Sequence, residues 1–193
     1  MLGLLQVTWA LTIVGKCHPV QMVAYLISQL VGSLIGALLL SLTLDDDKAG
    51  SLGSNTVDDD GVGGAFLGEM MGTMLLVLVV LETAVNSGAV TTQEQGKQNL
   101  APIAIGLAVF MAHVVLIPIT GCSINPTRSF GPAILSGKPS NSWLFWVAPL
   151  CGSTVGSLLW FVVQTFDPNK VAAAPADDKD DDDEEEERDE DDA

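Results

Sequence analysis

The sequence predicts an all-α membrane protein: a helical bundle of four spans with two re-entrant half-helices. Three observations carry that prediction. Of 193 residues 48% are hydrophobic and only 17% charged, whereas roughly a quarter of a soluble domain is charged. The charge is also segregated, because residues 177–193 (DDKDDDDEEEERDEDDA) hold 14 of the 24 acidic residues and −12 of the net −16. Finally, four apolar stretches reach the roughly 20 residues that a hydrocarbon core of about 30 Å requires. The same composition excludes a nucleic-acid partner, since 8 dispersed bases cannot replace phosphate counterions.

In chain order, residues 1–15 (MLGLLQVTWALTIVG) would reach only about 22 Å as a helix. No basic segment precedes them and no small-residue cleavage site follows, so they read as a half-helix and not as a signal peptide. The spans are 20–43, 64–85, 100–120 and 143–166, separated by an acidic Gly/Ser loop at 44–63 and a polar loop at 86–99. Between the last two spans, 121–136 (GCSINPTRSFGPAILS) is short and polar. Non-helical backbone at membrane depth survives only when it is buried in protein or lines water, which makes this a second re-entrant segment. Residues 1–170 thus form the transmembrane domain, and the like-charged 171–193 a disordered tail. Lys16, Lys97 and Lys170 against Lys48 and Lys138 place that tail in the cytoplasm by the positive-inside rule. Gly32/Gly36, Gly68/Gly72, Ala108/Ala112 and Gly152/Gly156 predict close helix packing.

Polar groups inside spans are costly and mark function or structure. Glu69 reads as a buried carboxylate that accepts N–H groups from nearby irregular backbone, and Gln29 reads similarly. A proton relay through Glu69 and His113 is the rival. Glu82 lies near a span end and reads as solvated. Arg128 must face water, a carboxylate or carbonyls, and with His113 it would present donors that repel cations and order neutral solutes. Cys17, Cys122 and Cys151 have no metal-ligand spacing and read as small buried hydrophobes. No metal or cofactor is predicted, and nothing points to an enzyme.

Residues 121–133, GCSINPTRSFGPA, resemble the second pore loop of the aquaporins, Asn-Pro-Ala followed by Arg-Ser. FLGEMMGTMLLVLVVLETAVN resembles the family's fourth span with its buried glutamate, IGLAVFMAHVVLIPITG the fifth and WLFWVAPLCGSTVGSLL the sixth. The resemblance covers about residues 6–166. It implies that Asn125, Pro126 and Thr127 form the pore box, with Thr127 in place of the usual Ala. It implies that His113 and Arg128 belong to the selectivity filter and that Cys122 occupies its mercurial-sensitive position. Ser129, Ala133, Phe145 and Trp146 fit the water-type pattern, where glycerol channels carry Asp after the Arg. Where a first Asn-Pro-Ala box would stand, the chain reads Leu4-Leu5-Gln6, and the family's first two spans are absent.

The implied function is passive, single-file water transport that excludes protons and ions, by a homo- or hetero-tetramer in lipid, in the plasma membrane. A channel for glycerol, peroxide or ammonia, and a non-conducting remnant that assembles with full-length subunits, are the alternatives. If Met1 is the true start, a monomer of residues 1–193 is expected to give no selective water flux. Deleting 171–193 is expected to leave permeability intact.

Overall fold

The computed structural model describes residues 4–45, 50–85, 92–137 and 141–166; the predicted tail lies outside them. The elements are α1 (Leu5–Ile13), α2 (Pro19–Thr43), α3 (Val62–Val80), α4 (Thr92–Thr120), α5 (Pro126–Ser136) and α6 (Leu144–Thr165). A 3-10 turn over Asp59–Gly61 leads into α3, and a π turn over Leu81–Val85 follows it. The described residues contain helices and no strands, as predicted. One compact unit runs Met1–Phe161, and a second starts at Val162, of which the last residues of α6 are described.

The four spans appear as helices long and apolar enough to cross a membrane, and the two short pieces as helices of 9 and 11 residues. One boundary differs from expectation. The helix of the third span begins at Thr92, inside the stretch read as a loop, because Gln, Glu and Lys there are good helix formers.

Helix starts are set locally. α2 opens with Pro19 at its first position and a reciprocal cap, in which Val20 N–H donates to His18 Nδ1 (3.3 Å) and His18 N–H to Gln21 Oε1 (3.3 Å). α1 stops where Gly15 takes φ +71°, a conformation nearly free of penalty for glycine alone.

Three apolar clusters hold the unit together. Val7, Leu76, Val80, Ala108, Ala112, Leu116, Cys122 and Ile124 join α1, α3, α4 and the loop before α5. Val57, Ala65, Leu144, Phe145 and Ala148 join α3 to α6, and Ala10, Val14, Val77 and Leu81 join α1 to α3. Small residues sit at the crossings. A Cβ on Gly152 would collide with the Met70 carbonyl, one on Gly131 with the Ser33 carbonyl, and those on Gly68 and Gly72 with the Leu116 side chain at 2.7 and 2.9 Å. Gly32 and Gly36 depart from the packing expectation: nothing lies within 4 Å of their Cβ positions, and both face a cavity. α2 buries only Ala37 among its residues and exposes an apolar stripe that includes Val23, Ile27, Val31 and Leu38.

Candidate functional site: a cavity at the start of a half-helix

The site is built on the five residues before α5. Gly121, Cys122 and Ile124 take φ of +77°, +54° and +42°, and a non-glycine residue held there costs about 1–2 kcal/mol. Glu69, fully buried on α3, holds the loop in that shape. Its Oε1 accepts from Ser123 N–H (2.8 Å) and Thr120 Oγ1 (2.6 Å), and its Oε2 from Ile124 N–H (2.6 Å). Cys122 N–H donates to Thr120 Oγ1 at 3.1 Å. This is the geometry of the structural reading of Glu69, and His113 is not among its partners.

Asn125 is the N-cap of α5. Its Oδ1 accepts from Thr127 N–H (3.1 Å) and Thr127 Oγ1 (2.8 Å), and Pro126 fills the first helical position, where a missing N–H is harmless. With the amide oxygen committed to the helix, no described residue takes the Nδ2 hydrogens. The positive end of α5 lies at the same place. Gln29 ties the two half-helices together, with Nε2 donating to Thr8 Oγ1 (3.4 Å) and Oε1 lying 3.3 Å from Thr127 Oγ1.

Arg128 follows, half-buried. Its Nη1 donates to Gly53 O (2.7 Å) and to Asn55 Oδ1, so among the described residues its hydrogen-bond partners are carbonyl oxygens. Asn55 is the residue the sequence reading missed. It is buried, accepts from Ser129 Oγ (2.7 Å) as well as Arg128, and donates Nδ2 to Thr120 O (3.0 Å). It thereby pins the 50–58 loop to both ends of the 121–129 segment. The only signal for it was indirect, because a buried arginine needs acceptors and Arg128 has none in its own segment.

Asn125, Thr127, Arg128 and Gln29 line one cavity of about 880 Å³, with Tyr25, Ser28 and the Gly32/Gly36 face of α2 opposite. Two residues expected beside Arg128 do not line it. His113 is half-buried and pairs its Nδ1 with Val109 O one turn earlier (2.8 Å). Cys122 is fully buried in the cluster with Val7 and Leu116, so its thiol faces apolar core. Ser129, Ala133, Phe145 and Trp146 converge instead on a second, smaller cavity. Glu82 is exposed at the end of its span, as expected.

Comparison with known proteins gives the family and the fold. The family profile described as Major intrinsic protein matches residues 6–160. Aquaporin-1 of Homo sapiens is 37% identical over 137 residues, covering 70% of this chain and 49% of the relative. Aquaporin Z of Bradyrhizobium diazoefficiens is 39% identical over 113 residues, 58% of this chain and 44% of the relative. The aquaglyceroporin from Plasmodium falciparum superposes with a TM-score of 0.67 at 23% identity, over 89% of this chain and 75% of that one. Fold and family match therefore define an integral multi-pass membrane protein. The chain belongs to the major intrinsic protein family and spans about half the length of the curated relatives it matches.

Proposed function

We propose that the chain supplies the Asn125–Arg128 wall of a water-conducting pore. The observation that carries this is the cavity itself: an amide donor pair at the N-terminal end of a half-helix, and a fixed guanidinium three residues on, face one space. Donors at a positive helix end turn a passing water oxygen toward them, and a permanent cation beside them raises the barrier for protons and cations. Only neutral hydrogen-bond acceptors cross readily. No bond is made or broken, so the activity is transport and not catalysis. Assembly as a tetramer and residence in the plasma membrane belong to this reading. His113 belongs to this reading as a filter residue, with its Nδ1 paired to Val109 O.

A second reading, conduction of a small neutral solute such as glycerol, is favoured by the cavity's volume of about 880 Å³, since one water needs only about 30 Å³. Ser129, where glycerol channels carry Asp, supports water.

Stopped-flow light scattering on vesicles that carry the assembled protein tests both. Shrinkage in a sucrose gradient should be faster than in protein-free vesicles, with no added re-swelling in a glycerol gradient. Arg128→Val should keep part of the water flux and raise proton leak. Water flux equal to that of empty vesicles, or unchanged ion exclusion in Arg128→Val, would overturn the assignment.

A further inference from the structure

The second cavity, about 200 Å³, is separate from the Asn125–Arg128 wall. Its lining is mostly apolar: Phe130, Ala133, Phe145 and Trp146 form the body, with Phe130 and Trp146 edge to face at 6.0 Å between ring centroids. An apolar cavity of about 150 Å³ stays dry and accepts a benzene-sized guest, so this one has room for a substituted ring.

One edge is polar, and its hydrogen-bond bookkeeping fixes what it can recognise. Asn55 Oδ1 already accepts from Arg128 and from Ser129 Oγ, and Asn55 Nδ2 is given to Thr120 O. Both lone pairs of the amide oxygen are therefore taken. Ser129 spends its proton on Asn55 at 2.7 Å and lies 2.6 Å from Ser123 Oγ. A hydroxyl oxygen has two lone pairs, so at least one on Ser129 remains. At Ser129 the edge accepts; Ser142, the other hydroxyl on the lining, has an interaction of its own.

We infer that this cavity binds a small neutral molecule with an aromatic body and one hydroxyl donor, a phenol, whose O–H donates to Ser129 Oγ while the ring sits among Phe130, Phe145 and Trp146. The guest is then three hydrogen bonds from Arg128, through Ser129 and Asn55. That proximity concerns the function proposed above; the binding itself does not depend on it.

Heavy-atom quenching of tryptophan emission by 4-bromophenol, read on the full chain in detergent, tests the inference without any flux measurement. Quenching should contain a saturable component above the linear background of ligand dissolved in the micelle. Trp146→Phe should remove that component by removing its reporter, and Ala133→Leu by filling the cavity. Ser129→Ala, which leaves the apolar body intact, should weaken 4-bromophenol about fivefold, the worth of one net hydrogen bond. Bromobenzene, with the same ring and no donor, should bind the unaltered chain about fivefold more weakly than 4-bromophenol. Purely linear quenching, a saturable component that survives both Trp146→Phe and Ala133→Leu, or bromobenzene binding as tightly as 4-bromophenol would each overturn it. If Ala133→Leu fails to fold, Ser129→Ala and the bromobenzene comparison still decide.

Discussion

Leu4 and Asn125 hold the same place in two half-helices, and their backbones are alike. Leu4 precedes α1 at φ −125°, ψ 121°, and Asn125 precedes α5 at φ −152°, ψ 113°, both the extended geometry of an N-cap. The side chains then part company. Asn125 caps Thr127 N–H, whereas Leu4 makes no side-chain cap bond. Pro126 removes a donor that the first helical position cannot use, while Leu5 keeps its N–H. Thr127 is hydrogen-bonded, but Gln6, in the matching place, is fully buried with neither amide atom bonded. Six positions in, Gly131 lets α5 lie against Ser33, and α1 has Ala10 there. A half-helix therefore gets its shape from backbone length and an extended entry. Its capacity to present donors to a cavity comes from the two or three residues at its mouth, and only α5 has them.

The comparison breaks most severely at Glu69. Its carboxylate takes two backbone N–H groups and a hydroxyl from the approach to α5, and a buried donor left without a partner costs about 1–3 kcal/mol. Glu69→Ala should destabilise the protein by about 3–5 kcal/mol and speed hydrogen exchange at Ser123 and Ile124 while the α1 amides keep their protection. Equal loss of protection in both half-helices would mean that Glu69 supports the bundle and not the α5 loop. Next comes Gly131→Ala, which gives α5 the residue α1 already has. Its Cβ would meet Ser33 backbone, so α2 and α5 must separate, at about 1–3 kcal/mol of overpacking. An unchanged melting temperature would show that the close approach is dispensable.

How much of this could be read from the chain follows from the same residues. The spans were legible because length and the absence of charge are properties of the sequence itself. Glu69 was legible because a carboxylate in an apolar helix demands donors, and the irregular backbone of a re-entrant segment supplies them. Asn55 was not: SLGSNTV reads as any polar loop, and its reach to Arg128 depends on left-handed turns at Leu52 and Gly53. His113 and Cys122 were placed at the pore by resemblance, but spacing does not fix where a side chain points. One ring nitrogen goes to Val109 O, and the thiol goes into an apolar cluster.

Two substitutions at α1 sharpen the comparison from the other side, with smaller effects. Gln6 has both amide atoms buried and unbonded, so an apolar side chain of similar size removes a desolvation penalty. Gln6→Leu should stabilise the protein by about 1–2 kcal/mol, seen as a higher melting temperature in detergent. A lower one would show that the amide has a partner of its own.

The smallest effect is expected at the cap itself, where Leu4→Asn gives α1 the residue that opens α5. The backbone is already extended, and Val7 and Thr8 N–H already donate to Leu4 O at 3.1 and 3.0 Å, so the N–H that an asparagine side chain would take is that of Gln6, as Asn125 takes that of Thr127. A new cap contributes about 0.5–1 kcal/mol. Leu4 is partly buried against the cluster containing Val7 and Leu116, and losing that contact costs about 1 kcal/mol for a half-buried leucine. The two nearly cancel, so the melting temperature should barely move and cannot decide the matter. Hydrogen exchange at the Gln6 amide can, because the cap acts on that one N–H while the lost apolar contact is spread over the cluster. Leu4→Asn should slow exchange at Gln6 and leave Thr127 unchanged; if Gln6 exchanges as fast as before, the similar backbone of the two half-helices is not enough to let an asparagine cap α1.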